Sequence, residues 1–231
     1  MGMHLQLSPR ESGSQGSAKS TTISKIKPTD SQRIRRQAKE HLDSKRPEQA
    51  IKLLESLLLE NPTDKHAISL LIKAYDHEDR LEDAKTIFDI AERHRLLDGQ
   101  IRYHMLKAHA RAGEVDQAKE VFQAAVRKFE DSRQYYGIML ELFIENGRWK
   151  DAMECLKLAN ERGHAQPMHY SMMIGAARKT RDSAAVGKLV REAVSRDLTN
   201  GAVYSEVFNH YLELRDVRNA FRIFRRMKPL R

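Results

Sequence analysis

The sequence predicts an all-α protein, a right-handed α-solenoid of about six helix-turn-helix repeats, each roughly 34 residues long. Three observations lead to this prediction: a fixed period, an apolar stripe at helical spacing in each copy, and turn residues where the helices should end. The period is the most direct of the three. A triplet of small or apolar residues recurs at a constant interval along the chain, and a period in this range is typical of helical solenoids.

The triplet is clearest at Ala118, Phe122 and Ala125, within the stretch RAGEVDQAKEVFQAA. Steps of one period give the other copies, which are Ala50/Leu54/Leu57, Ala84/Phe88/Ala91, Ala152/Leu156/Ala159, Val186/Val190/Ala193 and Ala220/Phe224/Met227. We call the first residue of each triplet the anchor. It is usually alanine because the two helices of a pair must approach closely there, and the residue four positions later fills the space toward the next pair.

Each copy also contains the pattern of a first helix. Apolar residues lie 16, 13, 12 and 9 positions before the anchor, as in Ile68, Leu71, Ile72 and Tyr75. This spacing places them on one helical stripe. Turn residues follow at Gly113 and at Asn146-Gly147. The second helix of the first copy is expected to begin at Pro47 and to end before Asn61-Pro62.

The array is predicted to occupy residues 31–231, divided into 31–64, 65–98, 99–132, 133–166, 167–200 and 201–231. Residues 1–30 are rich in Ser, Thr and Gly and show no apolar periodicity, so we predict that this head is disordered. Its few acidic residues and its basic residues are compatible with an organellar transit peptide. An ordinary unstructured tail fits the same composition.

Composition limits the classes of function. There are 41 Lys and Arg against 32 Asp and Glu, for a net charge of +9, which permits a nucleic acid, an anionic membrane surface or an acidic protein as partner. No apolar run is long enough to cross a membrane. The single cysteine, Cys155, falls on a core position, as do Met105, Met139 and Met173. Since no Gly-rich phosphate loop, HExxH motif or paired Cys-x-x-Cys is present, we predict a protein that is not an enzyme and needs no cofactor or metal.

The repeat resembles two related families. The triplet, together with Pro62 at the end of the first copy, is similar to the tetratricopeptide repeat. Three other stretches resemble the pentatricopeptide repeat of the same superfamily: Tyr170-Ser171-Met172-Met173-Ile174, Arg111-Ala112-Gly113 and Ala220 to Met227 (AFRIFRRM). The first resemblance implies a groove that binds a peptide or partner protein. The second implies binding of single-stranded RNA, usually in mitochondria or plastids, for RNA processing, stability or translation in a ribonucleoprotein assembly.

Basic residues recur at one position of the first helix. Lys39, Lys73 and Lys107 lie 11 positions before successive anchors, and Arg111 and Lys179 lie seven before theirs. Stacked copies would align the lysines into a ladder suited to a phosphate backbone. A solvated lysine face explains the same pattern. Glu141 and Glu145 interrupt the ladder in the fourth copy, which argues against a uniform RNA track.

The resemblance to pentatricopeptide repeats further implies that two polar residues per repeat read an RNA base. On this sequence the pairs that fit are Ser69 with Asp98 and Ser171 with Asn200. We expect the column of Ser69, four positions before that of Lys73, to face away from the packing stripe. Asp98 and Asn200 are equally interpretable as helix caps. The last helix adds a cationic face, for which we predict RNA contacts by Arg222, Arg225 and Arg226.

Overall fold

The structure is a computed structural model that describes residues 28–227, with side chains from residue 30 to residue 225. This part of the chain contains twelve α-helices and no strand. The predicted fold class, an all-α array of helix-turn-helix repeats, is confirmed. Most of the predicted head, residues 1–27, lies outside the described residues.

The helices follow the period of the sequence. Their bounds are α1 Pro28–Asp43, α2 Pro47–Glu60, α3 Lys65–His77, α4 Leu81–Arg93, α5 Gly99–Arg111, α6 Val115–Arg127, α7 Arg133–Glu145, α8 Trp149–Glu161, α9 Pro167–Lys179, α10 Ser183–Ser195, α11 Gly201–Glu213 and α12 Val217–Met227. The odd-numbered helices are the first helices of their repeats. From α3 to α11 these begin at the predicted divisions of the array, whereas α1 begins at Pro28, ahead of the predicted start at Ser31.

The chain forms two compact units that meet between Ala112 and Gly113 in the sequence. In the first unit, α1, α3 and α5 are packed side by side, with α2 and α4 against them. Its core contains Leu54, Leu71 and Met105, which are almost fully buried. In the second unit, α7, α9 and α11 are packed side by side, and α6, α8, α10 and α12 pack on them. The centre of this second core includes Met139 and Met173.

The anchors are buried as their size predicts. Ala50, Ala84, Ala118 and Ala152 are all completely inaccessible. Close approach of the helices leaves no room for a larger side chain there. The core positions predicted for Cys155 and for the methionine column are confirmed, because Cys155 is 3% exposed and Met105, Met139 and Met173 are buried.

One turn conformation recurs between the helices of every repeat. A residue with φ between 54° and 72° occupies the same position in all six copies, namely Lys45, Asp79, Gly113, Gly147, Arg181 and Arg215. This left-handed region favours glycine. Only two copies carry glycine, so the period is maintained by the backbone of the turn even where the side chain is unfavourable.

No helix within residues 28–227 is long and apolar enough to span a membrane. The same residues contain no cluster of three or more metal-ligating side chains.

Candidate nucleic-acid interface

The predicted lysine ladder lies on three adjacent helices of the first unit. Lys39 is on α1, Lys73 on α3 and Lys107 on α5, and these helices are packed side by side. Lys39 is exposed, whereas Lys73 and Lys107 are half-buried. None of the three forms an ion pair with another described residue. We call this set the lysine row.

The electrostatic influence of the row is seen at a neighbouring histidine. His104 of α5 is 9% exposed, and its pKa is lowered to about 4. Burial is the main cause, and the positive charges of Lys73 and Lys107 lower the pKa further. Its Nε2 atom lies 3.0 Å from Nε2 of Gln100. Lys73 and Lys107 therefore act on the same region of space, and His104 remains neutral there at neutral pH.

His77, at the end of α3, reports on the same basic surface. Its pKa is lowered first by burial, while Asp76 raises it and the positive charges of Lys73, Lys107 and Arg111 lower it. These three cations from α3 and α5 thus lie close to one imidazole. Lys73 of α3 and Lys107 of α5 therefore act on both His77 and His104.

Arg111, for which the sequence predicts contact with a phosphate backbone, has internal partners. Its Nη1 atom donates to the carbonyl oxygen of Asp76 at 2.8 Å and lies 3.2 Å from a carboxylate oxygen of the same residue. Its Nη2 atom lies 3.2 Å from Oδ1 of Asp79. The guanidinium thereby ties α5 to the end of α3, and two carboxylates offset its charge.

The two base-reading positions of a repeat adjoin in the first copy. Arg35 occupies the column of Ser69 in that copy, and Asp64 is at the end of the same repeat. Nη1 of Arg35 donates to both carboxylate oxygens of Asp64, at 2.9 and 2.8 Å. This pair was not predicted from the sequence. The signal for it was that Arg35 and Asp64 occupy the same two positions of the repeat as Ser69 and Asp98.

The predicted base-reading residues also have structural partners. Asp98 and Asn200 are the N-caps of α5 and α11, and they accept hydrogen bonds from the backbone N–H groups of Ile101 and Val203. Oδ2 of Asp98 and Nδ2 of Asn200 are not used in these caps. Ser171 is half-buried.

Ser69 is only 4% exposed, so the expectation that its column faces away from the packing was wrong at this position. The physical reason is that α3 lies directly against α5, and this contact covers the flank of α3.

The second unit has mixed charge at the corresponding positions. Glu141 and Glu145 are exposed on α7, and Gly175, which occupies the lysine position on α9, is buried. Lys179 lines a cleft of about 550 Å³ together with Arg178, Arg181, His210, Glu213 and Leu214. Within it Arg178 is paired with Glu206, at 3.0 Å, and with Glu213. The second unit therefore has no equivalent of the lysine row among its described residues.

On the last helix, Arg222 and Arg225 are exposed. The guanidinium carbon of Arg225 lies 5.3 Å from the centre of the Phe221 ring. The side chain of Arg226 is outside the described residues.

Comparison with known proteins finds similarity to two kinds of helical repeat. Tetratricopeptide repeat family models match residues 41–110 and 103–166. Among solved structures, the chain is similar to the pentatricopeptide repeat protein PPR10 from maize, with a TM-score of 0.57 and 20% identity over 81% of this chain. PPR10 in complex with an 18-nt psaJ RNA element gives a TM-score of 0.59 and 17% identity over 83% of this chain. The chain is a TPR/PPR-like helical repeat protein.

This TPR/PPR-like protein spans less than a third of PPR10, since the matches cover 28% and 29% of the two PPR10 chains. It is also similar to a tetratricopeptide repeat protein from Parabacteroides merdae, with a TM-score of 0.56 and 10% identity over 87% of this chain and 80% of that one. At these identities the similarities show a shared fold. A search of curated proteins finds no match.

Proposed function

We propose that this repeat protein binds single-stranded RNA, with little dependence on sequence, through the lysine row of its first unit. The observation that carries the proposal is the position of Lys39, Lys73 and Lys107 on adjacent packed helices, where they have no acidic partner among the described residues. Packed helices are spaced by about 8–10 Å, so the three ammonium groups present cations at repeated intervals. Such contacts engage phosphates irrespective of base identity.

The field around His104 supports the same proposal. Burial is the main cause of the lowered pKa of His104, and Lys73 and Lys107 lower it further, so both ammonium groups add positive charge on this side of α5, where a polyanion would be attracted. Because Arg111 is occupied by Asp76 and Asp79, we assign it to holding α5 on α3 and expect its contribution to RNA affinity to be smaller than that of Lys107.

Base selection by this protein is expected to be weak. Ser69 offers a ligand little surface, and Arg35 and Asp64 are bonded to each other. The groups of the predicted pairs that remain for a base edge are Oδ2 of Asp98, Nδ2 of Asn200 and the half-buried side chain of Ser171. An affinity set by phosphates and adjusted slightly by these groups describes a sequence-tolerant binder.

We further propose that the protein acts in a mitochondrion or plastid, in RNA processing, stability or translation. The resemblance to pentatricopeptide repeats supports this, as does the head with Arg10, Lys19 and Lys25 and few acidic residues. Imaging of the full chain with a C-terminal fluorescent tag tests the location. A signal confined to the cytoplasm or nucleus would overturn this part of the proposal.

The RNA activity is tested by fluorescence anisotropy with a labelled 18-nt single strand of mixed sequence. We expect the logarithm of the association constant to fall linearly with the logarithm of the salt concentration, with a slope of about −0.7 for each phosphate contact. A homopolymer of uridine should bind within about tenfold of the mixed strand, since base contacts are few. Absence of binding at low salt, or an affinity that salt does not change, would contradict the proposal.

A protein-binding scaffold is the second candidate, because both matching family models are tetratricopeptide repeats. In that case the chain should retain a defined protein partner after nuclease treatment. Loss of all partners on nuclease treatment would leave the RNA function as the better account.

A further inference from the structure

The turn between α6 and α7, in the second unit, carries an aromatic side chain that is open to water. Phe129 is 79% exposed, more than any other large apolar residue that the structure describes. Its φ is 56°, in the left-handed region that bulky residues rarely adopt. The equivalent residues of other copies also have positive φ, and they are Arg95, Gly163 and Asp197. Neither the turn nor the core requires a phenyl ring here, so the fold does not explain Phe129.

A guanidinium group lies over one face of the Phe129 ring. The guanidinium carbon of Arg162, just after α8, is 4.3 Å from the ring centre. Nη2 of Arg162 also donates to the carbonyl oxygen of Val126 at 3.0 Å, which holds the group at the end of α6. Because Phe129 remains mostly exposed, the opposite face of its ring is open to solvent. The pair is therefore a preorganised aromatic surface with a cation behind it.

The exposed charge around this ring is mainly positive. Three basic residues within four positions of Phe129 are exposed and form no ion pair with another described residue, namely Arg127, Lys128 and Arg133. Two acidic residues lie in the same turn. Asp131 is directed inward, since its side chain is 3% exposed and accepts a hydrogen bond from the hydroxyl of Tyr136. Glu130 is half-buried. A ligand that reaches the ring would therefore meet cations at its edge.

An exposed ring beside cations suits two kinds of ligand, a single-stranded nucleic acid and an anionic membrane. Proteins that bind single strands combine aromatic rings, on which bases stack, with cations that contact the backbone. A membrane-inserted Phe129 would instead carry the guanidinium of Arg162 toward the hydrocarbon, or lose its contact with that group. A charged group is costly to place there. The position of Arg162 over the ring thus favours a ligand that stacks in water.

We propose that the ring of Phe129 stacks on a base of single-stranded RNA, while Arg127 and Lys128 contact the neighbouring phosphates. Arg162 is a positioning residue that holds the ring from behind. The inference rests on the proposed function, and it adds a base contact on the second unit to the phosphate contacts of the lysine row on the first. Stacking accepts every base, so the site agrees with binding that depends little on sequence.

The test measures the affinity of the full chain for two labelled 18-nt strands by fluorescence anisotropy. One strand has a mixed sequence, and the other has the same backbone with abasic sites in place of the bases. F129A should weaken the mixed strand by about fivefold or more and change the abasic strand by less than about twofold. L59A is the matched control, because Leu59 is an apolar residue of α2 that is 61% exposed, and it should leave both affinities unchanged.

Conservative variants separate stacking from a general apolar contact. F129Y keeps an aromatic ring and should bind the mixed strand within about twofold of the unchanged chain. F129L keeps an apolar side chain without a ring and should lose as much affinity as F129A. If F129A lowers the helix content of the chain, F129L decides in its place, since it preserves most of the side-chain volume.

Two further variants separate this site from the lysine row. R127Q/K128Q should weaken both strands by a similar factor and reduce the salt slope by about 1.4, two contacts at about 0.7 each. In the K39E/K73E/K107E background, F129A should still lower the affinity for the mixed strand by the same factor, since the changes are on different helices. A row variant that binds as well as the unchanged chain would contradict the proposed function while the effect of F129A remained.

Three results would overturn the stacking site. One is RNA binding by F129A within about twofold of the unchanged chain. Another is an equal loss on the mixed and abasic strands, or full affinity in F129L, either of which would show that the ring does not stack on a base. The third is binding to vesicles of phosphatidylserine and phosphatidylcholine that F129A abolishes while RNA affinity is unchanged, which would assign the turn to a membrane. If the unchanged chain binds neither strand, the proposed function and this site fall together.

Discussion

Arg35 and Asp64 are 29 residues apart in the sequence, and Nη1 of Arg35 donates to both carboxylate oxygens of Asp64, at 2.9 and 2.8 Å. Asp64 also accepts from the backbone N–H of Ala67 at 3.0 Å and so caps α3. One carboxylate thereby sets the start of a first helix and connects it to the first helix of the preceding repeat. This arrangement fixes the orientation of α1 and α3, on which two members of the lysine row lie.

The Asp64 carboxylate should therefore stabilise the protein more than a cap alone. We expect Asp64→Ala to lower the free energy of unfolding by about 2 kcal/mol, through loss of the cap and of the charge-assisted bonds. Asp98→Ala, which removes the cap of α5, should cost about 1 kcal/mol. Urea denaturation followed by circular dichroism measures both. An equal loss in the two variants would show that the contact with Arg35 contributes nothing.

Acid should destabilise the protein through His104. Its pKa is about 4 in the folded chain and 6.5 when unfolded, so between these values the unfolded state binds more protons and stability falls as the pH falls. At pH 5 this single group should cost about 2 kcal/mol relative to neutral pH. His104→Gln should reduce the difference between the melting temperatures at pH 5 and pH 7.5. His66→Gln, at an exposed position on α3, is the matched control and should leave that difference unchanged.

Two glycines with different backbone conformations should respond in opposite ways to substitution by alanine. Gly147 has φ of +67°, and a Cβ added there would meet nothing within 4 Å, so Gly147→Ala suffers backbone strain without a clash. The strain should cost about 1 kcal/mol of unfolding free energy. Gly201, the first residue of α11, also has open space around it and no positive φ. Gly201→Ala should be neutral or slightly stabilising, and a destabilisation equal to that of Gly147→Ala would contradict this account.

Cys155 should be chemically inert in the folded protein. It is 3% exposed, and burial raises the pKa of its thiol to about 12. The thiolate is the reactive form, so modification by a disulfide reagent at pH 7.5 should be slow and should become fast on addition of guanidinium chloride. Rapid labelling of the native chain would mean that α8 opens readily.

The helices could be predicted from the sequence because each repeat contains the same pattern of apolar residues and turns. Ala118 and its equivalents define the close approach of the helices, and Gly113 or Asn146-Gly147 define the turns. Turns at Lys45 and Asp79 adopt the same backbone without glycine. These two turns can be predicted only from their position within the repeat period.

The candidate site was less predictable, since it depends on contacts that do not repeat. Arg111 is neutralised by Asp76 and Asp79, but the equivalent positions one repeat later hold Ala110 and Gly113, so the period carries no signal for the pair. The burial of Ser69 likewise follows from the contact of α3 with α5, which spacing within one helix does not describe. The lysine row was accessible to sequence reasoning because its members share one column.

The lysine row is tested most directly by charge reversal. The variant K39E/K73E/K107E is compared with R46E/K52E/R93E, which changes the net charge equally at exposed positions on α2, α4 and the turn before α2. The measurement is the affinity for a labelled 18-nt single strand across a salt series. We predict that the row variant loses about a hundredfold or more at low salt and that its salt slope falls by about 2, three contacts at about 0.7 each. A loss no greater than that of the control variant, with an unchanged slope, would contradict RNA binding by this surface.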